Sequence, residues 1–154
     1  MTTDVPAAIE VTSPAFTADE EIPVVFSCAG RNISPPLAWT GVPDDARELA
    51  LVVDDPDAPR GTFTHWILFG LPPSTSSLAE GTVPAGAKQA RNSAGSAAYA
   101  GPCPPSGTHH YRFTVYALDE PLAVSDGADT GAALDAISDH AVAQGRLVGL
   151  FTAA

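Results

Sequence analysis

Apolar and polar positions along the chain change period several times, and short periods dominate. Ile9-Glu10-Val11-Thr12 alternates, as an edge strand with one buried face does. Ile22-Pro23-Val24-Val25-Phe26 reads as a second strand, with Pro23 near its start, where a missing N–H is tolerable. Leu37-Ala38-Trp39 is short and apolar and ends at Gly41-Val42-Pro43. Two continuous apolar runs, Leu49-Ala50-Leu51-Val52-Val53 and Trp66-Ile67-Leu68-Phe69, place two fully buried strands over residues 48–53 and 64–71. Tyr111-Arg112-Phe113-Thr114-Val115-Tyr116-Ala117 alternates again, and on that register His109 points the same way as Tyr111 and Phe113. The period then lengthens. Leu134, Ile137 and Ala141 recur at three and four, so a helix capped by Asp129-Thr130 and ended by Gly145 is expected, followed by a last strand over residues 146–152.

The connections carry little periodicity. Residues 1–8 look like a loose start. Ala29-Gly30-Arg31-Asn32 is a turn, and Pro72-Pro73-Ser74-Thr75-Ser76-Ser77 is a break. Residues 78–100 are rich in Ala, Gly and Ser and read as a long loop with at most a short helix, a kind of loop that is often functional. Gly101-Pro102-Cys103-Pro104-Pro105-Ser106-Gly107 is a rigid turn. No internal repeat or boundary interrupts the chain, so residues 1–154 form one all-β-dominated domain with a late helix.

Composition narrows the function classes. Fifteen prolines and thirteen glycines in 154 residues fit many turns and few long helices. The net charge is 7 − 18 = −11, which repels nucleic acid and anionic membrane surfaces. An anionic ligand must then be held by local donors against the overall field. There is no leader pattern and no apolar run long enough to span a membrane, so a cytoplasmic protein is expected. Cys28 and Cys103 fit no metal spacing and read as two buried free thiols; an intracellular address disfavours pairing them.

Between the two central strands lies Asp55-Pro56-Asp57-Ala58-Pro59-Arg60-Gly61-Thr62-Phe63-Thr64-His65. Asp55, Asp57, His65 and His109 are the candidate functional side chains. Each has a plain structural role open to it: Asx residues form turns, and a buried histidine can simply be satisfied. Together they say more, because two stiff loops each deliver a histidine into a strand. A metal site lacks a local His pair, and a Cys103–His109 nucleophile lacks a cationic neighbour to depress the thiol pKa. A small anion pocket remains, in which imidazole, tyrosine hydroxyl and backbone N–H groups donate. Carboxylates beside such donors suit a protonated or zwitterionic headgroup better than bare phosphate. No metal or other cofactor is called for.

Asp55-Pro56-Asp57-Ala58-Pro59 followed by Phe63-Thr64-His65-Trp66 resembles the signature of the phosphatidylethanolamine-binding, or Raf kinase inhibitor protein-like, family. Gly101 to Tyr111 resembles its second signature, and Asn32-Ile33-Ser34-Pro35-Pro36-Leu37-Ala38-Trp39 a third stretch. The compact length is similar to the bacterial and archaeal YbhB/YbcL-like branch. The resemblance implies a β-sandwich of two sheets with a C-terminal α-helix and short peripheral helices. It also implies a pocket formed by Asp55, Asp57, Pro59, His65, Gly101, Pro102, His109 and Tyr111. The implied ligand is phosphate, phosphorylethanolamine or a phospholipid headgroup, bound without catalysis, with His65 and His109 donating, Gly101 offering its N–H and the two Asp residues holding the histidines. A cis Ala58–Pro59 bond and a homodimer are further family habits. A hydrolase acting on small phosphoryl or acyl esters is the alternative. His110 stands where Arg is common in the branch, Phe151 where Tyr is common, Ala98-Tyr99-Ala100 where Gly-Tyr-Gly is usual, and Ala29 where an acidic residue is common.

Overall fold

The computed structural model describes residues 5–153. Eight strands and one α-helix run in the order β1 (Glu10–Thr12), β2 (Leu37–Thr40), β3 (Glu48–Asp55), β4 (Phe63–Leu71), β5 (Ser77–Leu78), β6 (Lys88–Ala90), β7 (Thr108–Leu118), α1 (Thr130–His140) and β8 (Ala141–Thr152). They form a three-stranded sheet, β1-β2-β5, and a five-stranded sheet, β6-β4-β3-β7-β8, with every pairing antiparallel. The mostly β architecture with one helix is the fold expected from the sequence.

The uninterrupted apolar runs have a structural cause. The large sheet is covered on both faces, so both sets of side chains in β3 and β4 are buried. Leu49, Leu51, Val53, Trp66 and Leu68 pack toward the small sheet with Trp39, Phe113 and Val115. Ala50, Val52, Ile67 and Phe69 pack toward α1 with Ala133 and Ile137. A strand with one wet face would alternate; these do not. Burying side chains of this size stabilises the fold by roughly 1.5–3 kcal/mol each. No helix among the described residues is long and apolar enough to cross a membrane.

Several local expectations are corrected. Residues 22–26 are not a strand. Pro23 precedes a single 3-10 turn at Val24–Phe26, closed by Phe26 N–H to the Pro23 carbonyl at 3.1 Å. Residues 78–100 contain β6 and no helix. The expected loose start lies outside the described residues up to position 4, and the chain just beyond it is tied down: the Pro6 carbonyl accepts from Gln144 N–H at 2.9 Å. Ala58–Pro59 is trans, since no cis peptide occurs among the described residues. The helix begins where expected, but Asp129 makes no side-chain cap bond. It ends at His140, before Gly145, and passes directly into β8.

Gly145 serves a different purpose from a helix stop. It lies inside β8, where a Cβ would run into the Ile9 carbonyl. The backbone approaches too closely there for any side chain. Gly145→Ala is therefore expected to lower stability by roughly 1–3 kcal/mol through overpacking. Urea unfolding measures it, and a loss within experimental error would show that the segment before β1 shifts freely.

Candidate functional site

β3, β4 and β7 bring their polar ends to one end of the large sheet. Asp55 closes β3, is 3% exposed, and still needs partners for both carboxylate oxygens. One accepts from Asp57 N–H at 2.8 Å, an Asx turn that starts the loop. The other accepts from His109 Nδ1 at 2.6 Å.

His65 arrives through an irregularity. Val53 pairs with Trp66 but Asp54 pairs with Thr64, so β4 carries one residue more than β3 at this point, and that residue is His65. Such a bulge bends the strand and re-aims a side chain. On its other side β4 runs past β6, which pairs only with residues 67–69, and the 92–101 loop covers that edge: Ser93 N–H donates to Thr64 O at 2.8 Å and Ala100 N–H to His65 O at 3.0 Å. In return His65 Nδ1 donates to the Ala100 carbonyl at 2.6 Å. Both imidazoles are thus anchored through Nδ1, which leaves Nε2 on each as the nitrogen available to a ligand.

Tyr111 stands between them. Its ring stacks on His109 with centroids 6.4 Å apart and meets His65 edge-on at 5.3 Å. Burial pushes its phenol well above the usual range, helped by the charges of Asp55 and Asp57, while a backbone hydrogen bond with Cys103 works the other way. The hydroxyl therefore stays protonated at neutral pH. Burial also pulls His65 below the ordinary histidine value, against the Ala100 carbonyl and the Asp55 and Asp54 carboxylates, which pull it up.

These groups line a cavity of about 260 Å³. Of the predicted residues, Asp55, Pro59, His65, Gly101, His109 and Tyr111 lie on its wall. Asp57 and Pro102 do not. Asp57 accepts from His110 N–H and from His110 Nδ1, at 2.8 and 2.7 Å, and those bonds hold its carboxyl below the usual range. It orders the rim and holds neither His65 nor His109. Pro102 supports from behind, its carbonyl accepting from Cys28 N–H at 3.1 Å. Gly101 also differs from expectation: its N–H is already used by Asn32 Oδ1 at 2.7 Å.

Sequence reasoning missed Asn32, Phe63 and the two cysteines as wall residues, along with the small apolar residues Ala58, Ala100, Pro104 and Pro105. Asn32 left a signal, since an Asn ending a turn often takes a positive φ, as it does here at 57°. The cysteines left none that spacing could reveal. Cys28 and Cys103 form a disulfide with Cα atoms 5.5 Å apart, which overturns the free-thiol reading and removes the Cys103 thiolate as a nucleophile in this state. The turn after Phe26 and the 101–107 turn pack against each other along one wall of the pocket, so residues distant in sequence become neighbours.

The sequence profile described as phosphatidylethanolamine-binding protein matches residues 12–152. The chain belongs to the phosphatidylethanolamine-binding protein family. The solved YbcL of E. coli, described as a member of the mammalian family, superposes with a TM-score of 0.90 at 30% identity, covering 96% of this chain and 100% of that one. CT736 of Chlamydia trachomatis, described as a homologue of the family, gives 0.89 at 40% identity over 96% and 99% of the two chains. A UPF0098 protein of Methanothermobacter thermautotrophicus is 45% identical, over 89% of this chain and 94% of its own. A Mycobacterium tuberculosis protein carrying the lipoprotein name LppC is 50% identical, over 97% and 76%.

In this member of the phosphatidylethanolamine-binding family, His65 is expected to stay neutral to below pH 6.5 because burial outweighs its acceptors. An NMR titration of its ring nitrogens reads this, and a midpoint at or above that value would contradict it. Replacing Cys28 and Cys103 together by Ser is expected to cost roughly 2–5 kcal/mol in chemical unfolding. An unchanged midpoint would mean that the hydrogen bonds between the two turns these cysteines join suffice.

Proposed function

We propose that the chain is a binding protein without catalytic activity, whose ligand is a small oxyanion headgroup of the phosphate or phosphorylethanolamine type. One observation carries the reading: two imidazoles, each anchored through Nδ1, share one small cavity with a buried carboxylate. A neutral imidazole anchored in this way presents a lone pair at Nε2; a charged one presents an N–H. An oxyacid that keeps a proton can donate to the lone pair. A fully deprotonated anion has no proton to give, so its binding requires the ring to take one up from water. Asp55 suits the ammonium end of a zwitterion. The net charge of −11 further disfavours a bare dianion. The family's name supports a phospholipid headgroup as one source of this chemistry.

The cytoplasmic address expected from the sequence stands against two observations, the Cys28–Cys103 disulfide and the lipoprotein name of a relative. Both favour a compartment that oxidises thiols.

A second reading has a specific support. A buried carboxylate holding an imidazole toward a cavity is also how a general base is oriented. Steady turnover of p-nitrophenyl phosphate or acetate, abolished by His109→Ala, would replace the binding reading with a hydrolase.

Calorimetric titration with inorganic phosphate tests the binding reading directly. Affinity is expected to fall as pH rises, by up to about tenfold per unit where one proton is taken up. The sign is that of one shared proton, held by the ligand or by His65: at high pH both have lost it, and a proton-free anion then meets the lone pair of a neutral ring. His109→Ala should weaken binding by roughly tenfold or more through the lost hydrogen bond, while the exposed Asp135→Asn leaves it unchanged. A flat profile between about pH 5.5 and 8.5 would remove the proton-coupled mechanism.

A further inference from the structure

We propose that Asn32 is a positioning residue that sets ligand specificity in this pocket, by fixing through one peptide group which nitrogen of His65 faces the ligand. The proposal rests on the binding reading above for its specificity part only.

Asn32 Oδ1 accepts from Gly101 N–H at 2.7 Å, and His65 Nδ1 donates to the Ala100 carbonyl at 2.6 Å. Those two backbone groups belong to the same peptide unit, the one joining Ala100 to Gly101. In a trans peptide they point in opposite directions, so Asn32 grips one side of the plane and His65 the other. Accepting from the N–H polarises the unit and strengthens its carbonyl as an acceptor. The carbonyl can only accept, so His65 keeps its proton on Nδ1 and its lone pair on Nε2.

The same contact withdraws a donor from the cavity. Gly101 and Asn32 both line it, and the Gly101 N–H would otherwise be its backbone anion donor. With that N–H occupied and both Nδ1 positions spent, the neutral pocket is mainly an acceptor surface: two Nε2 lone pairs and the Asp55 carboxylate, with Tyr111 as the hydroxyl. Asn32 thereby tilts the site toward ligands that carry a proton and away from proton-free anions. The groups facing His65 are Asp55 from β3, Tyr111 from β7, the Phe63 ring, and the backbone of Ala100 and Gly101, while the charge of Asp54 acts on it from a distance; none of the side chains replaces the peptide as the Nδ1 partner.

The backbone allows a clean variant. Asn32 has φ 57°, which glycine adopts at no steric cost, so Asn32→Gly removes the side chain without straining the turn. Asn32→Asp keeps both the acceptor and much of the tolerance for this φ.

The test uses the full chain and two probes, inorganic phosphate and sulfate, near pH 6, where phosphate carries protons and sulfate does not. The wild type is expected to prefer phosphate by about tenfold, the value of one extra hydrogen bond to a charged group. Asn32→Gly should shrink that preference about fivefold or more as Gly101 N–H becomes free for sulfate. Asn32→Asp should weaken both ions, sulfate the more because it carries the larger charge, so the preference for phosphate does not shrink. In parallel, 15N spectra of the His65 ring should show the Nδ1–H tautomer in the wild type and in Asn32→Asp, and a tautomer mixture in Asn32→Gly. His65 shifts unmoved by Asn32→Gly overturn the positioning role, whatever the affinities show. An unchanged phosphate-to-sulfate ratio in Asn32→Gly overturns the specificity role. A wild type that binds neither ion overturns the binding reading and the specificity role with it, and the tautomer spectra then decide the positioning role alone.

Discussion

A carboxylate buried at the end of a central strand is costly unless it is bonded, and Asp55 obliges the rest of the site to form around it. Uncompensated burial of such a charge costs several kcal/mol. Two donors answer it: the Asp57 amide, which forces the chain to turn at once, and the His109 ring, which fixes where β7 must begin. The turn sends Pro59 over the cavity, and the position of β7 brings Tyr111 alongside. A requirement for two hydrogen bonds thus shapes one whole end of the sheet.

The strand period then sorts the nearby charges. His109 and Tyr111 face the cavity, and the residues that alternate with them face away. His110 and Arg112 find separate carboxylates, Asp57 and Asp54, the latter gripped twice at 2.6 and 2.9 Å. The same local sequence therefore holds a ligand-facing set and a stabilising set. The acidic cluster is less concentrated at the pocket than its sequence density suggests. One carboxylate lines the wall, and its neighbours at 54 and 57 are engaged elsewhere.

The far wall has no strand to order it. The turn after Phe26 and the 98–107 loop hold together by Tyr99 OH to the Phe26 carbonyl at 2.8 Å, Cys28 N–H to Pro102 O, Gly101 N–H to Asn32, and the disulfide. Gly101 is needed where it stands, because a Cβ there would meet the Phe26 carbonyl and Asn32 Oδ1. Loops joined in this way can present backbone groups at fixed angles, which is what an anchored imidazole requires.

Periodicity by itself determined the strands at 48–53, 64–71 and 111–117 and the start of the helix, because burial on one or two faces leaves a direct trace in residue order. It also placed His109 on the face of Tyr111, since alternation along one strand is a local property. The family motifs added the cavity and most of its wall. Other features were decided only by the tertiary structure: the bulge that aims His65, the partner of Asp57, the use of Gly101 N–H by Asn32, the glycine at 145, and the joining of Cys28 to Cys103. Each depends on which segments meet across the fold. A bulge is a mismatch between two strands, a close approach needs a second backbone, and a disulfide needs two sulfurs brought together from 75 residues apart. No window of consecutive residues contains both halves of such a contact, so its outcome becomes visible only when the sheets have closed.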